Sequence, residues 1–421
     1  MRQPFSFVPA KQNALVITLG EWCLPFVLKA LHVCKVEFRP ETLDVLQSIS
    51  NDRVLICPNH PTNTEPAVVF GLAKGVRQRF HYLCCREAFS YWGGAYGWLI
   101  QRFGAYSIVR GALDRSSFQY TRKVLSQPNA KVVIFPEGEV YSQNDTLLPF
   151  QNGVIQQGFW AMEEAKKQDD SAEVLILPLA IHYRFISDMR KPIERSLGHL
   201  ESALGIASSS STHYVERLKA IGASILERLE RTYGVEHGES WSVQERMDAI
   251  KRAILRQAAQ AVGIDVGEGS LVEAMRRVIN AAHQVTLEQP ATQSRYDVQL
   301  WEQQRAHIQP VLMDLERLAN WIAVYDGYVA EDPTQERIVQ TLWRLEKEVF
   351  GRVYCTGPME CRVGNGDLVN LQDFWDGYRT SKRQVVDEVT QLVEARVQRA
   401  LEVLSSGTRV ARRYEKLDWG A

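Results

Sequence analysis

Short apolar runs alternate with helix-length segments from residue 53 to about residue 183, and this texture stops near Pro192. The runs at 54–57, 81–85, 106–109, 132–135 and 174–183 are rich in β-branched, aromatic and leucine side chains and too short for buried helices, so each is expected as a strand. Between them, 66–73, 91–102, 116–125 and 154–167 have helix length and are expected as helices. Crossovers of that length favour parallel neighbours in a sheet covered on both faces. The predicted class is α/β, a mostly parallel sheet flanked by helices.

Beyond Pro192 the β-branched runs vanish and long charged segments with helical spacing take over. Leu218, Ile221, Ile225 and Leu229 fall at three- and four-residue steps, as do Val385, Val389, Leu392 and Val393 ahead of Val397, Leu401 and Leu404. A mainly α-helical C-terminal region is expected, its apolar stripes packing as a bundle on the first domain or on a partner. Residues 205–212, with four consecutive serines, read as a linker or loop, 288–290 and 331–333 punctuate further helices, and 351–366 is the longest non-helical interval. The expected division is 1–45, an N-terminal interfacial or docking helix; 46–192, the α/β domain; and 193–421, a helical accessory region.

The segment 14–31 is the most lipid-friendly stretch, but Glu21, Pro25 and Lys29 interrupt it. A span takes about 20 mainly apolar residues, so this helix is expected to lie in a membrane interface, with Trp22 at headgroup depth and Lys29 and Lys35 reaching to water. The alternative is a helix docked on the core. No basic region followed by an apolar core and a small-residue cleavage site is present, so no secretory signal is expected.

Charge and cysteine content narrow the function classes. With 49 Lys+Arg against 50 Asp+Glu, no global field favours nucleic acid, and any anion recognition must be local. Seven scattered cysteines in a chain of 421 residues make no disulfide framework and point to a reducing, cytoplasmic setting. Cys355 and Cys361 lack a neighbouring histidine to complete a zinc set, so no metal is expected.

The chemistry concentrates at two strand ends. Asn59 and His60 follow the run 54–57, with Glu65 five residues beyond the histidine. Phe135-Pro136-Glu137-Gly138 closes the run 132–135, its proline and glycine ending the strand so that Glu137 stands at the carboxyl end. Open α/β sheets place their sites at that edge. His60 beside Glu65 reads as a general base and the carboxylate that fixes its tautomer; their use as metal ligands lacks a third ligand nearby.

Four ordered blocks carry a resemblance to the PlsC-like glycerolipid acyltransferases over roughly residues 50–190: Asn59-His60 with Glu65, Ser107-Ile108-Val109-Arg110, Phe135 to Gly138, and the apolar Ile176-Leu177 ending in Pro178. The resemblance implies acyl transfer from acyl-CoA or acyl carrier protein to a glycerolipid hydroxyl, most typically 1-acyl-sn-glycerol 3-phosphate to phosphatidate, at the cytoplasmic face of a membrane by a peripheral or monotopic protein and without a cofactor. It assigns catalysis to His60 and Glu65, and substrate binding to Asn59, Arg110, Glu137, Gly138 and Pro178, with Arg110 toward the acceptor phosphate.

The departures from the family pattern are Glu65 where aspartate is usual, Glu139-Val140 in place of Thr-Arg, and Gln151 in place of a lysine. Two phosphate-holding cations are thereby missing, and His182 and Arg184 are the candidates to replace them. Phe89, Trp92, Tyr96, Trp98, Leu99 and Ile100 are candidates for an acyl slot or for membrane contact. Two rival classes are a non-catalytic lipid-binding scaffold and a thioester or lipid hydrolase; for the latter no Gly-x-Ser-x-Gly elbow is present.

Overall fold

The computed structural model describes residues 7–110, 114–140, 142–207, 213–238, 240–267, 270–287, 294–321, 328–331 and 333–406. Two compact units divide the chain. One takes residues 7–187 together with 358–406, the other residues 188–357.

The first unit runs α1 (Ala14–Ala30), β1 (Val33–Phe38), α2 (Pro40–Ser48), β2 (Val54–Pro58), α3 (Glu65–Gly75), β3 (His81–Cys85), α4 (Ala95–Phe103), β4 (Ala105–Ile108), α5 (Arg115–Leu125), β5 (Lys131–Val133), α6 (Asn152–Lys166) and β6 (Leu175–Phe185). From the far end of the chain it adds β7 (Met359–Asn365), β8 (Val369–Asn370), α7 (Trp375–Thr380) and α8 (Lys382–Ser406). The sheet order is β1-β7-β6-β2-β5-β3-β4, with β8 also on β6. The block β6-β2-β5-β3-β4 is parallel throughout. β2, with all five residues buried, lies near its middle, as a run lacking polar alternation should.

All five expected strands and their intervening helices are present, with ends shifted by a few residues. The sheet extends further than the sequence reading drew it. β7 is antiparallel to β6 and parallel to β1, so an antiparallel margin joins the parallel block. The interval 351–366, read as non-helical, holds β7. The valine stripe from Val385 to Leu404 is helical as expected, but α8 packs on β6, β7 and α6 and shares one core with Leu55, Phe159 and Ile176. The units therefore divide at 187/188 and again at 357/358, where the sequence reading drew boundaries after 45 and after 192. A stripe at helical spacing says that a face is buried and leaves open which surface covers it.

Pro178 sits inside β6 rather than ending it. The strand continues to Phe185, and Pro178 falls between the residues that pair with β8 (Leu175, Ile176) and those that pair with β7 (Leu179 to Phe185), where its missing N–H breaks no ladder bond. Its carbonyl accepts from the Gly366 N–H at 3.0 Å.

Helix α1 begins where Asn13 accepts from the Val16 N–H. It buries Ile17, Leu24 and Leu28 and packs on α3 and α4, while Leu15, Leu19, Trp22 and Phe26, on another face, are 64–82% exposed. It is thus docked on one side and apolar on the other. Among the described residues no helix is long and apolar enough to cross a membrane.

The second unit is helical among its described residues, with segments Arg190–Leu204, Tyr214–Tyr233, Val243–Val262, Leu271–Leu287, Arg295–Trp321, Tyr328–Glu331 and Gln335–Phe350. Leu218, Ile221, Ile225 and Leu229 are buried as their spacing predicts. Residues 208–212, 288–290 and 332, expected as linker or punctuation, lie outside the described residues.

Candidate active site

β2 ends at Pro58, and the turn that follows carries Asn59 and His60 before α3 begins at Glu65 with Pro66 behind it. Pro66 costs no helix hydrogen bond in the first turn, and the helix N-terminus favours the carboxylate there. Asn59 is 1% exposed and spends its side-chain amide on β6: Nδ2 donates to the Ile181 carbonyl at 3.0 Å, and Oδ1 accepts from the Ile181 N–H at 2.7 Å. It anchors the turn to the sheet.

His60 Nδ1 lies 2.6 Å from Glu65 Oε2. Glu65 is fully buried, and its oxygens also accept from the Thr62 N–H at 3.1 Å and from the Thr62 hydroxyl at 2.6 Å. A buried carboxylate needs such partners, and these fix its rotamer. The extra methylene relative to aspartate is accommodated, since the contact to the imidazole forms. With Nδ1–H donating to Glu65, Nε2 carries the lone pair. The Phe135 ring stacks on the imidazole with centroids 4.2 Å apart and 26° between planes. The Ile134 N–H donates to the Ile56 carbonyl and carries the β5 end alongside β2, so that Phe135 reaches His60.

Glu137 stands beyond the carboxyl end of β5, as its motif suggested, and both carboxylate oxygens there accept backbone hydrogen bonds. Its carboxylate is buried, Oε1 accepting from the His60 N–H at 2.7 Å and Oε2 from the Leu148 N–H at 2.9 Å, so it ties the histidine turn to the 148 loop. Burial pushes its pKa up to about 7, against the lowering effect of those two N–H donors and of His60. Gly138, at φ +74°, makes the turn behind it, a conformation that a side chain would strain.

Arg110 reaches this loop from the end of β4. Its Nη1 donates to Glu139 Oε2 at 2.6 Å and to the Gly138 carbonyl at 3.4 Å. Burial disfavours its charge, but Glu139, Cys85 and Glu87 outweigh that and hold the guanidinium firmly protonated.

The expected replacement cations do not supply free charge. His182 is buried, which lowers its pKa to about 4 and leaves it neutral at pH 7. Arg184 Nη2 is paired at 2.9 Å with Glu360, which also takes Lys35 at 2.6 Å. Gln151 donates its amide to the Glu137 carbonyl at 3.3 Å. The candidate acyl-slot aromatics separate: Phe89 is buried, whereas Trp92 and Trp98 are exposed. A cavity of about 270 Å³ lies elsewhere, between α1, β1 and α3, lined by Leu24, Leu28, Val33, Phe38, Val68 and Gly71.

Sequence reasoning missed Thr62, Phe135 as the stacking partner, Tyr183 and Cys361. The last two face each other across β6 and β7, and both are buried with Glu65 in their electrostatic surroundings. A strand more than two hundred residues downstream of Glu65 thus borders this carboxylate. Thr62-x-x-Glu65, a capping-like pattern, was the signal available for Thr62; nothing local marks the others. Among the described residues no three metal-ligating side chains come together.

A comparison with curated proteins gives no match. Residues 36–182 match the Acyltransferase family model, so the α/β segment that carries His60, Glu65, Arg110 and Glu137 is an acyltransferase domain of the PlsC glycerolipid type.

Proposed function

We propose that His60 is the general base of an acyl transfer from a thioester, acyl-CoA or acyl carrier protein, to a glycerolipid hydroxyl. The observation that carries this is the buried Glu65 carboxylate 2.6 Å from His60 Nδ1 at the carboxyl edge of the sheet. Nε2 takes the acceptor proton as the hydroxyl oxygen attacks the thioester carbonyl, Glu65 supports the imidazolium that forms, and the departing thiolate receives the proton. No covalent enzyme intermediate, metal or redox cofactor enters this scheme.

The setting we infer is the cytoplasmic face of a membrane, with α1 lying in the interface. Its exposed Leu15, Leu19, Trp22 and Phe26, together with Trp92 and Trp98, support that reading. The cavity beside Val68, one turn along α3 from Glu65, is the best candidate for holding an acyl chain.

For the acceptor, the family resemblance favours 1-acyl-sn-glycerol 3-phosphate, with Arg110 as phosphate ligand and phosphatidate as product. The Arg110–Glu139 ion pair favours a second reading, a lysolipid with a different head group. Incubating the full chain with a labelled acyl thioester and a panel of lysolipids tests the reaction class; thioester consumption without any acylated lipid would contradict it.

A further inference from the structure

We propose that the acceptor head group is zwitterionic, a phosphodiester bearing an ammonium group, and that Glu139 sets this preference. The inference rests on the acyl-transfer reading above. Glu139 follows the Glu137-Gly138 turn that is tied to His60, so the Arg110–Glu139 pair stands on the loop that positions the base. The guanidinium that would hold an acceptor phosphate is already 2.6 Å from a carboxylate, and Glu87 adds a second negative charge to its surroundings. A phosphate monoester entering here meets one partly neutralised cation and two carboxylates. A zwitterion meets a complementary pair, its phosphodiester facing Arg110 and its ammonium facing Glu139, with both charges answered.

Arg110 retains donor capacity for such a ligand. Its hydrogen bonds to described residues leave from Nη1. The two groups are also reachable, with the Arg110 side chain 33% and the Glu139 side chain 16% exposed. Gln151 is uncharged and committed to the Glu137 carbonyl, and Arg184 is engaged by Glu360, so neither shifts the balance toward a dianion.

The test compares the full-length wild type with Glu139→Gln, using one labelled acyl thioester and three acceptors of equal chain length in uncharged detergent: lysophosphatidylethanolamine, lysophosphatidate and monoacylglycerol. For the wild type we expect kcat/KM on the zwitterion to exceed that on lysophosphatidate by about tenfold or more. Glu139→Gln should lower the first and raise the second, with its unfolding transition by circular dichroism reporting that the variant is folded. Wild-type preference for lysophosphatidate, or a zwitterion-to-phosphate ratio unmoved by Glu139→Gln, overturns the inference while leaving acyl transfer intact. Failure of the wild type to acylate any of the three overturns the acyl-transfer reading and the inference with it.

Discussion

His60 owes its geometry to three contacts, from Glu65 at the start of α3, Phe135 beyond β5 and the Glu137 carboxylate on its own N–H, and to Asn59 beside it, which ties the turn to Ile181 of β6. Of these, Glu137 carries a pH signature. Its pKa rises from 4.5 to about 7 in the folded chain, so the fold binds its proton more tightly than the unfolded chain does. That stability is complete below about pH 4.5 and is lost as pH rises through about 7, a difference of up to about 3 kcal/mol. Urea unfolding of wild type and Glu137→Gln at pH 4.5 and pH 8 should therefore show the variant gaining on the wild type as pH rises; a pH-independent difference would contradict the assignment. The pairing of His60 with Glu65 was legible because a short turn holds both. Glu137 was legible as a strand-end residue, but its bonds to His60 and Leu148 depend on loops that local spacing does not specify.

At the scale of elements, the strand reading worked where runs were continuous and failed where they were short or isolated. β2 and β6 are buried along nearly their whole length and declare themselves by composition. β7, Met-Glu-Cys-Arg-Val-Gly-Asn, does alternate, but nothing near it in sequence says that it pairs with β1 and β6. The consequence is testable by ending the chain after residue 357. This removes β7 from between β1 and β6, and with α8 it removes buried apolar side chains that include Val385, Val386, Val389, Val393, Val397, Leu401 and Leu404. Each contributes about 1.5–3 kcal/mol, together as much as the usual net stability of about 5–15 kcal/mol. In the shortened chain the amides of β2 and β6 should lose their protection from hydrogen exchange, with no acyl transfer; a protected sheet in an active product would contradict the placement of β7 and α8.

For the molecule as a whole, the proposed membrane setting is what would tie the exposed face of α1 to the reaction. Leu19→Glu with Phe26→Glu changes side chains that are 64% and 76% exposed, so the fold should survive while sedimentation with liposomes falls well below wild type. Equal sedimentation of the two proteins would remove the interfacial role of α1. The sequence displayed this helix through its interrupted apolar run, and the structure adds that one face is docked while another stays bare. The claim on which the functional reading turns is the base. With a labelled acyl thioester and a competent lysolipid, His60→Ala should retain the wild-type unfolding transition and lose about 10²–10⁴ in kcat, with KM for the thioester little changed. Near-wild-type turnover by the folded His60→Ala protein would contradict it.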